Sequence, residues 1–198
     1  MSARERIIQI LSGPEASRIR FSFPVGKTAM TISSHTFQRV ARAFRHGHIR
    51  INITNHLPAG IGAIYHPTAA PDHPADQLVV PPILGRFQEG LVMHECIHAF
   101  YDIEKIAIDA RHEESAAYVV GSLFYRMAGL PQPDPGHTQD CARLVAEGLL
   151  AEYQDGNQPV PAVDDDSWNE LMEAVRTDPA YAGREPAVGG SYVHDGVL

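Results

Sequence analysis

The chain reads as an α+β protein, with a small mixed or antiparallel N-terminal sheet and a mostly helical C-terminal half. Three observations predict this. Before residue 85, short apolar stretches alternate with polar residues and are interrupted by Gly and Pro, which is strand-and-turn patterning. After Pro81-Pro82, apolar residues recur at helical spacing over long segments with capping residues in front. The length, 198 residues, suits one domain with a sizeable core. A single compact domain over 1–198 is therefore expected, with an irregular, partly mobile tail over 179–198.

Each element has a local cause. Residues 4–11 form a short helix stopped by "SGP". "RIRFSFPVGKTAMTIS" alternates around Pro24 and Gly26 and reads as a β-hairpin. In "SSHTFQRVARAFRHG", Ser33 or Ser34 caps a helix that puts Phe37, Val40, Ala41 and Phe44 on one face, and Gly47 ends it. "HIRINI", "IGAIYH" and "QLVVP" are short strands, the last two separated by the loop "PTAAPDHPAD". "RFQEGLVMHECIHAFYDI" and "DARHEESAAYVVGSLFYRMAG" are two helices, the second capped by Asp109 and stopped at Gly129-Leu130-Pro131. A third helix is "TQDCARLVAEGLLAEYQ", capped by Thr138, and a fourth is "DDSWNELMEAVRTD". The acidic run in front of the fourth helix suits its dipole.

Composition narrows the function classes. The formal net charge is −8 and the 16 basic residues are scattered, which argues against nucleic acid or anionic membrane as a partner. Cys96 and Cys141 are far apart and form no disulfide framework, so a reducing compartment is the simpler reading. The N-terminal apolar run is too short for a secretory signal or a transmembrane helix. A cytoplasmic location is expected, with export by a route that needs no cleaved signal as the alternative.

Chemistry concentrates in "LVMHECIHAFYD". On a helix, His94 and His98 project from one face a turn apart, and two imidazoles so placed can share a metal. Glu95 lies about 100° round the helix from His94. There it can reach a water at the metal without taking a coordination position, which is what a general base needs. Cys96, about 200° round, points to the back of the helix and into the core. The competing reading is a pair of core histidines, each bonded to a backbone carbonyl. A catalytic zinc takes three protein ligands and keeps a position open. The next helix offers Glu113 and Glu114 in "HEESAAYVVGSLFY", followed by the small residues Ser115, Ala116, Ala117, Gly121 and Ser122. A short linker and an antiparallel return would bring one of these carboxylates beside the histidines. The competing role for either glutamate is to complement the helix dipole.

"HECIH" followed by "EESAAY" resembles the gluzincin branch of zinc metallopeptidases, to which thermolysin belongs. The resemblance covers about residues 77–129. In several of those families the glutamate ligand begins a Glu-x-x-Ala-[Asp/Asn] run. Glu114-Ser115-Ala116-Ala117-Tyr118 fits it except that Tyr118 replaces the polar residue, whereas a start at Glu113 puts Ala117 there. The resemblance thus implies a zincin-like active-site helix, one Zn2+ held by His94, His98 and Glu114, and Glu95 as the catalytic base acting on a peptide or protein substrate. It also implies a strand beside that helix along which the substrate pairs; "DQLVVPP" is the best candidate, against an equally open reading as an ordinary sheet strand with Val79 or Val80 in the core.

Other residues carry weaker signals. Tyr65, Tyr118 and Tyr125 are candidate oxyanion donors, each competing with a core or rim role. Asp102 and Asp109 are candidates for orienting a ligand histidine, against helix-end roles. Cys141 reads as a buried structural thiol. His35, His46, His48, His56, His66 and His73 show no ligand spacing. Two alternatives to a general peptidase stay open: a catalytically silent zinc-containing module, and a protease-type bacterial effector or toxin with one protein target.

Overall fold

The computed structural model describes residues 1–57, 61–132, 136–155 and 160–197. The last tail residue, Leu198, lies outside them. The mixed α+β architecture matches the sequence reading, with the strands before residue 81 and the long helices after it.

Helix α1 (Ala3–Leu11) opens with a capping box, in which Ser2 bonds the Glu5 amide and Glu5 reaches back to the Ser2 amide. "SGP" ends it, but Pro14 also starts a second short helix, α2 (Pro14–Arg18), where a missing N–H costs nothing. Strands β1 (Phe21–Val25) and β2 (Thr28–Ile32) form the expected antiparallel hairpin. Gly26 supplies the left-handed turn residue at φ +61°. Ser33 and Gly47 cap α3 (Ser34–His46), which buries Phe37, Val40, Ala41 and Phe44.

Strands β3 (Arg50–Ile53), β4 (Ile64–His66) and β5 (Gln77–Val80) form a second sheet in the order β3-β5-β4. β5 is parallel to β3 and antiparallel to β4. This corrects the expectation for "DQLVVPP": both edges of β5 are already paired, so no substrate strand can add to it. Its continuous burial is that of a central strand. The edge nearest the histidines belongs to β4.

α4 (Arg86–Glu104) and α5 (Ala110–Met127) are joined by five residues and run antiparallel, Gly90 lying beside Gly121 and Tyr125 while His98 lies beside Glu113. Small residues set the distance between them. A Cβ on Gly90 would fall 2.3 Å from Tyr125 Cζ, and Ala116, Ala117, Gly121 and Ser122 are all buried along α5. Asp109 caps α5 through the Arg111 amide. α6 (His137–Asp155) starts two residues earlier than a Thr138 cap would place it, so Thr138 is inside the helix and not its cap. The buried Thr138 hydroxyl donates instead to Asp178 at 2.7 Å. α7 (Asp165–Thr177) is capped by Asp164.

The buried side chains form one continuous cluster from Ile7 to Tyr181, with Trp168 stacked on Phe23 between the two halves. Cys96 and Cys141 are both buried free thiols, as expected. No helix among the described residues is long and apolar enough to cross a membrane.

The tail is irregular as expected only from residue 189 on. It holds a 3-10 turn at Pro179–Tyr181 and a one-turn helix, α8 (Glu185–Val188), followed by irregular chain. That irregular chain is tied down: the Ala110 amide donates to Gly190 O at 2.9 Å, and the Gly196 amide donates to the Asp102 carboxylate at 3.1 Å.

Candidate metal centre

The spacing of α4 puts the His94 and His98 rings side by side, centroids 5.3 Å apart. α5 brings Glu114 against them. Its Oε2 lies 3.4 Å from His94 Nε2 and 3.7 Å from His98 Nε2. One donor atom from each of His94, His98 and Glu114 falls within a 4.8 Å set. Zinc ligands at about 2.0–2.1 Å in a tetrahedron are separated by about 3.3–3.5 Å, so these spacings suit one shared ion. Two imidazole nitrogens and a carboxylate are also the kind of donor set a catalytic zinc takes.

The electrostatics fit a cation here. Burial works against charge on His98, but the carboxylates of Glu114 and Glu113 outweigh it and raise the pKa to about 10. Burial would raise Glu114, but His98 and His94 beside it bring the carboxyl down to about 2. Without a metal, the protonated His98 ring supplies the positive charge that this acidic pocket needs.

Glu113 and Glu114 are adjacent in sequence and do different things. Glu113 is fully buried and accepts from His98 Nδ1 at 2.7 Å. That bond directs Nε2 toward Glu114 and fixes the tautomer when the ring is neutral. His98 is thus no core histidine bonded to a backbone carbonyl. His94 is held differently, its ring packed edge-on against Tyr118 with centroids 4.8 Å apart.

Glu95 stands outside the donor set. Its carboxylate accepts the Tyr65 amide of β4 at 2.7 Å. Burial pushes its pKa up, and the pull of His94 and His98 does not cancel this. A carboxylate whose pKa is raised by burial is a stronger base than a solvated one.

Several sequence candidates have other tasks. The Tyr65 hydroxyl donates to Asp102 at 2.7 Å, and the Tyr125 hydroxyl donates to Phe87 O at 2.9 Å. Neither phenol is therefore a free oxyanion donor. Asp102 holds Tyr65 and Gly196 rather than a ligand histidine, and Asp109 is a helix cap with an Arg111 ion pair. Tyr118 is at the site, its hydroxyl 3.1 Å from that of Tyr181.

Four residues of the site were not recognised in these roles from sequence. For Glu113 the sequence offers a ligand role or a helix-dipole role, not a bond to His98. Tyr181 donates to Glu114 Oε2 at 2.7 Å and Tyr192 to Oε1 at 2.6 Å, so both oxygens of that carboxylate are fixed from the tail. Burial first, and then the Glu114 charge, push both phenols above their ordinary pKa and keep them neutral donors. His194 Nε2 lies 2.9 Å from Glu113 Oε2. The signal in the sequence is the alternation of Gly190, Tyr192, His194 and Gly196 in "GSYVHDG". Comparisons with protein-family models, with curated proteins and with solved structures find no match, so the functional reading rests on the geometry of these side chains.

Proposed function

We propose that the chain is a zinc-dependent metallopeptidase that hydrolyses peptide bonds. The observation that carries the reading is the division of labour on α4. His94 and His98 face Glu114 as a three-donor set, while Glu95 lies beside that set, outside it, and is fixed by the Tyr65 amide. His94, His98 and Glu114 would hold the ion. Zinc in such a site supplies a water acidified toward pKa ~7 and a Lewis acid for the scissile carbonyl. Glu95 takes the proton of the attacking water onto its carboxylate and passes it to the leaving amine. Its raised pKa suits both halves of that transfer. β4 is the sheet edge beside Glu95, with its Tyr65 amide already taken by that carboxylate, so a peptide lying along it would bond the flanking backbone groups.

A second reading, a zinc-holding module without turnover, draws support from the cover over the donors. The side chains of His94, His98 and Glu114 are only 15, 11 and 6 % exposed. The test is digestion of a mixed peptide library, read by mass spectrometry, with wild type and Glu95→Gln both loaded with zinc. The peptidase reading expects cleavage by wild type and a loss of at least about a hundredfold in the variant. Cleavage by Glu95→Gln at the wild-type rate would remove Glu95 from its role. A wild type that holds zinc and cleaves nothing would favour the module.

A further inference from the structure

The last described residues run as an extended strap across α4 and α5, and its inward positions alternate. Gly190 O accepts from Ala110, Tyr192 donates to Glu114, His194 bonds Glu113, and the Gly196 amide donates to Asp102. Ser191, Val193 and Asp195 between them are exposed. Each inward residue from 192 onward meets one of three acidic side chains, and two of these are Glu114 and the carboxylate that holds His98. A segment packed only for stability would bury apolar side chains. This one sends a phenol, an imidazole and a peptide N–H to carboxylates. The His194 side chain is 2 % exposed and its Nδ1 has no partner among the described residues, an arrangement that costs stability.

We infer that the strap 190–196 is a working part of the metal centre, with His194 and Tyr192 as positioning residues that set metal affinity. The inference rests on the zinc reading above. His194 donates from Nε2 to Glu113 Oε2, which leaves Oε1 to accept His98 Nδ1 and turns His98 Nε2 toward the donor set. Tyr192 donates to Oε1 of Glu114 and Tyr181 to Oε2, the oxygen that faces the histidines, so the two phenols fix the carboxylate's orientation. Gly196 anchors the end of the strap: it sits at φ +90°, and a Cβ there would lie 2.2 Å from Lys105 Cε. A side chain at this position would be strained in the left-handed region and would loosen the anchor.

The experiment is competition for zinc between the full-length protein and a chromophoric chelator, with the melting temperature of each metal-free variant as the folding control. Losing an outer partner of a metal ligand typically costs about 10–100-fold in affinity. His194→Leu is expected to fall in that range. His194→Gln, whose amide N–H can replace the Nε2 donor, is expected to recover most of the loss. Tyr192→Phe, which deletes one hydroxyl, is expected to weaken binding about tenfold. Val193→Ser, on the outward side, is expected to bind as wild type. If His194→Leu fails to fold, wild-type affinity in Tyr192→Phe alone overturns the strap's role. Wild-type affinity in both His194→Leu and Tyr192→Phe, or His194→Gln no better than His194→Leu, would overturn the strap's role and leave the zinc site standing. A wild type without zinc affinity, or a His98→Ala variant that binds zinc as tightly, would sink the zinc reading and the strap with it.

Discussion

The helix pair α4–α5 and the strap 190–196 meet at the same three carboxylates but are built by different rules. The helices carry the donor atoms and the ionisable groups that face them: His94, Glu95 and His98 on one, Glu113 and Glu114 on the other. Helical spacing and small residues at the contact set their positions. The strap has no regular structure and brings neutral phenol and amide donors together with the His194 ring. Donor identity and site charge therefore live on rigid elements, while fine orientation comes from a segment with little stability of its own. Changes to the helices should abolish binding or change its pH dependence. Changes to the strap should grade its affinity.

The largest effect that sharpens this contrast is on pH. In the metal-free protein the His98 pKa is raised from 6.5 to about 10, so at neutral pH a proton must leave before Nε2 can bind a metal. Zinc affinity is expected to rise about tenfold per pH unit between roughly 7 and 9. Calorimetry in buffers of different ionisation enthalpy should find about one proton released per ion. Tyr192→Phe should leave that count unchanged while lowering affinity. Release of no proton would contradict the charge assignment. The same shift acts on folding. A raised histidine pKa contributes stability below about 6.5, and that contribution is lost as pH climbs through about 10.

A smaller effect tests the helix contact. In Gly90→Ala the new Cβ meets the ring of Tyr125, which is 2 % exposed and bonded to Phe87 O, so the helices must separate. A loss of about 1–3 kcal/mol is expected, seen as a fall in Tm of about 3–10 °C. An unchanged Tm would mean that α4 and α5 are not held at their distance by this contact.

The same contrast explains what could be read from the sequence. The hairpin, α3 with its Ser33 and Gly47 caps, and the α4–α5 pair all follow from local rules of periodicity and capping, and the structure has them where those rules put them. Strand order does not follow from such rules. "QLVV" reads as a strand, but its place between β3 and β4 depends on the path of the chain between them. The tasks of Glu113 and Glu114 were hidden for a related reason. Two adjacent glutamates on a helix differ only in the direction they face, and that matters once His98 and His194 are in place. Nor does any local rule bring the Tyr65 amide to Glu95, because the two residues lie on different elements. The strap falls in the stretch expected to be irregular and partly mobile, because its alternation spans only seven residues and serves hydrogen bonds rather than an apolar face.

The central claim is that His94, His98 and Glu114 are donors to one zinc ion and Glu95 is not. Native mass spectrometry of the zinc-loaded protein, after removal of free metal, tests it most directly. The expected result is one zinc ion in wild type, one in Glu95→Gln and none in His98→Ala. Zinc retained by His98→Ala, or lost from Glu95→Gln in a folded protein, would contradict it.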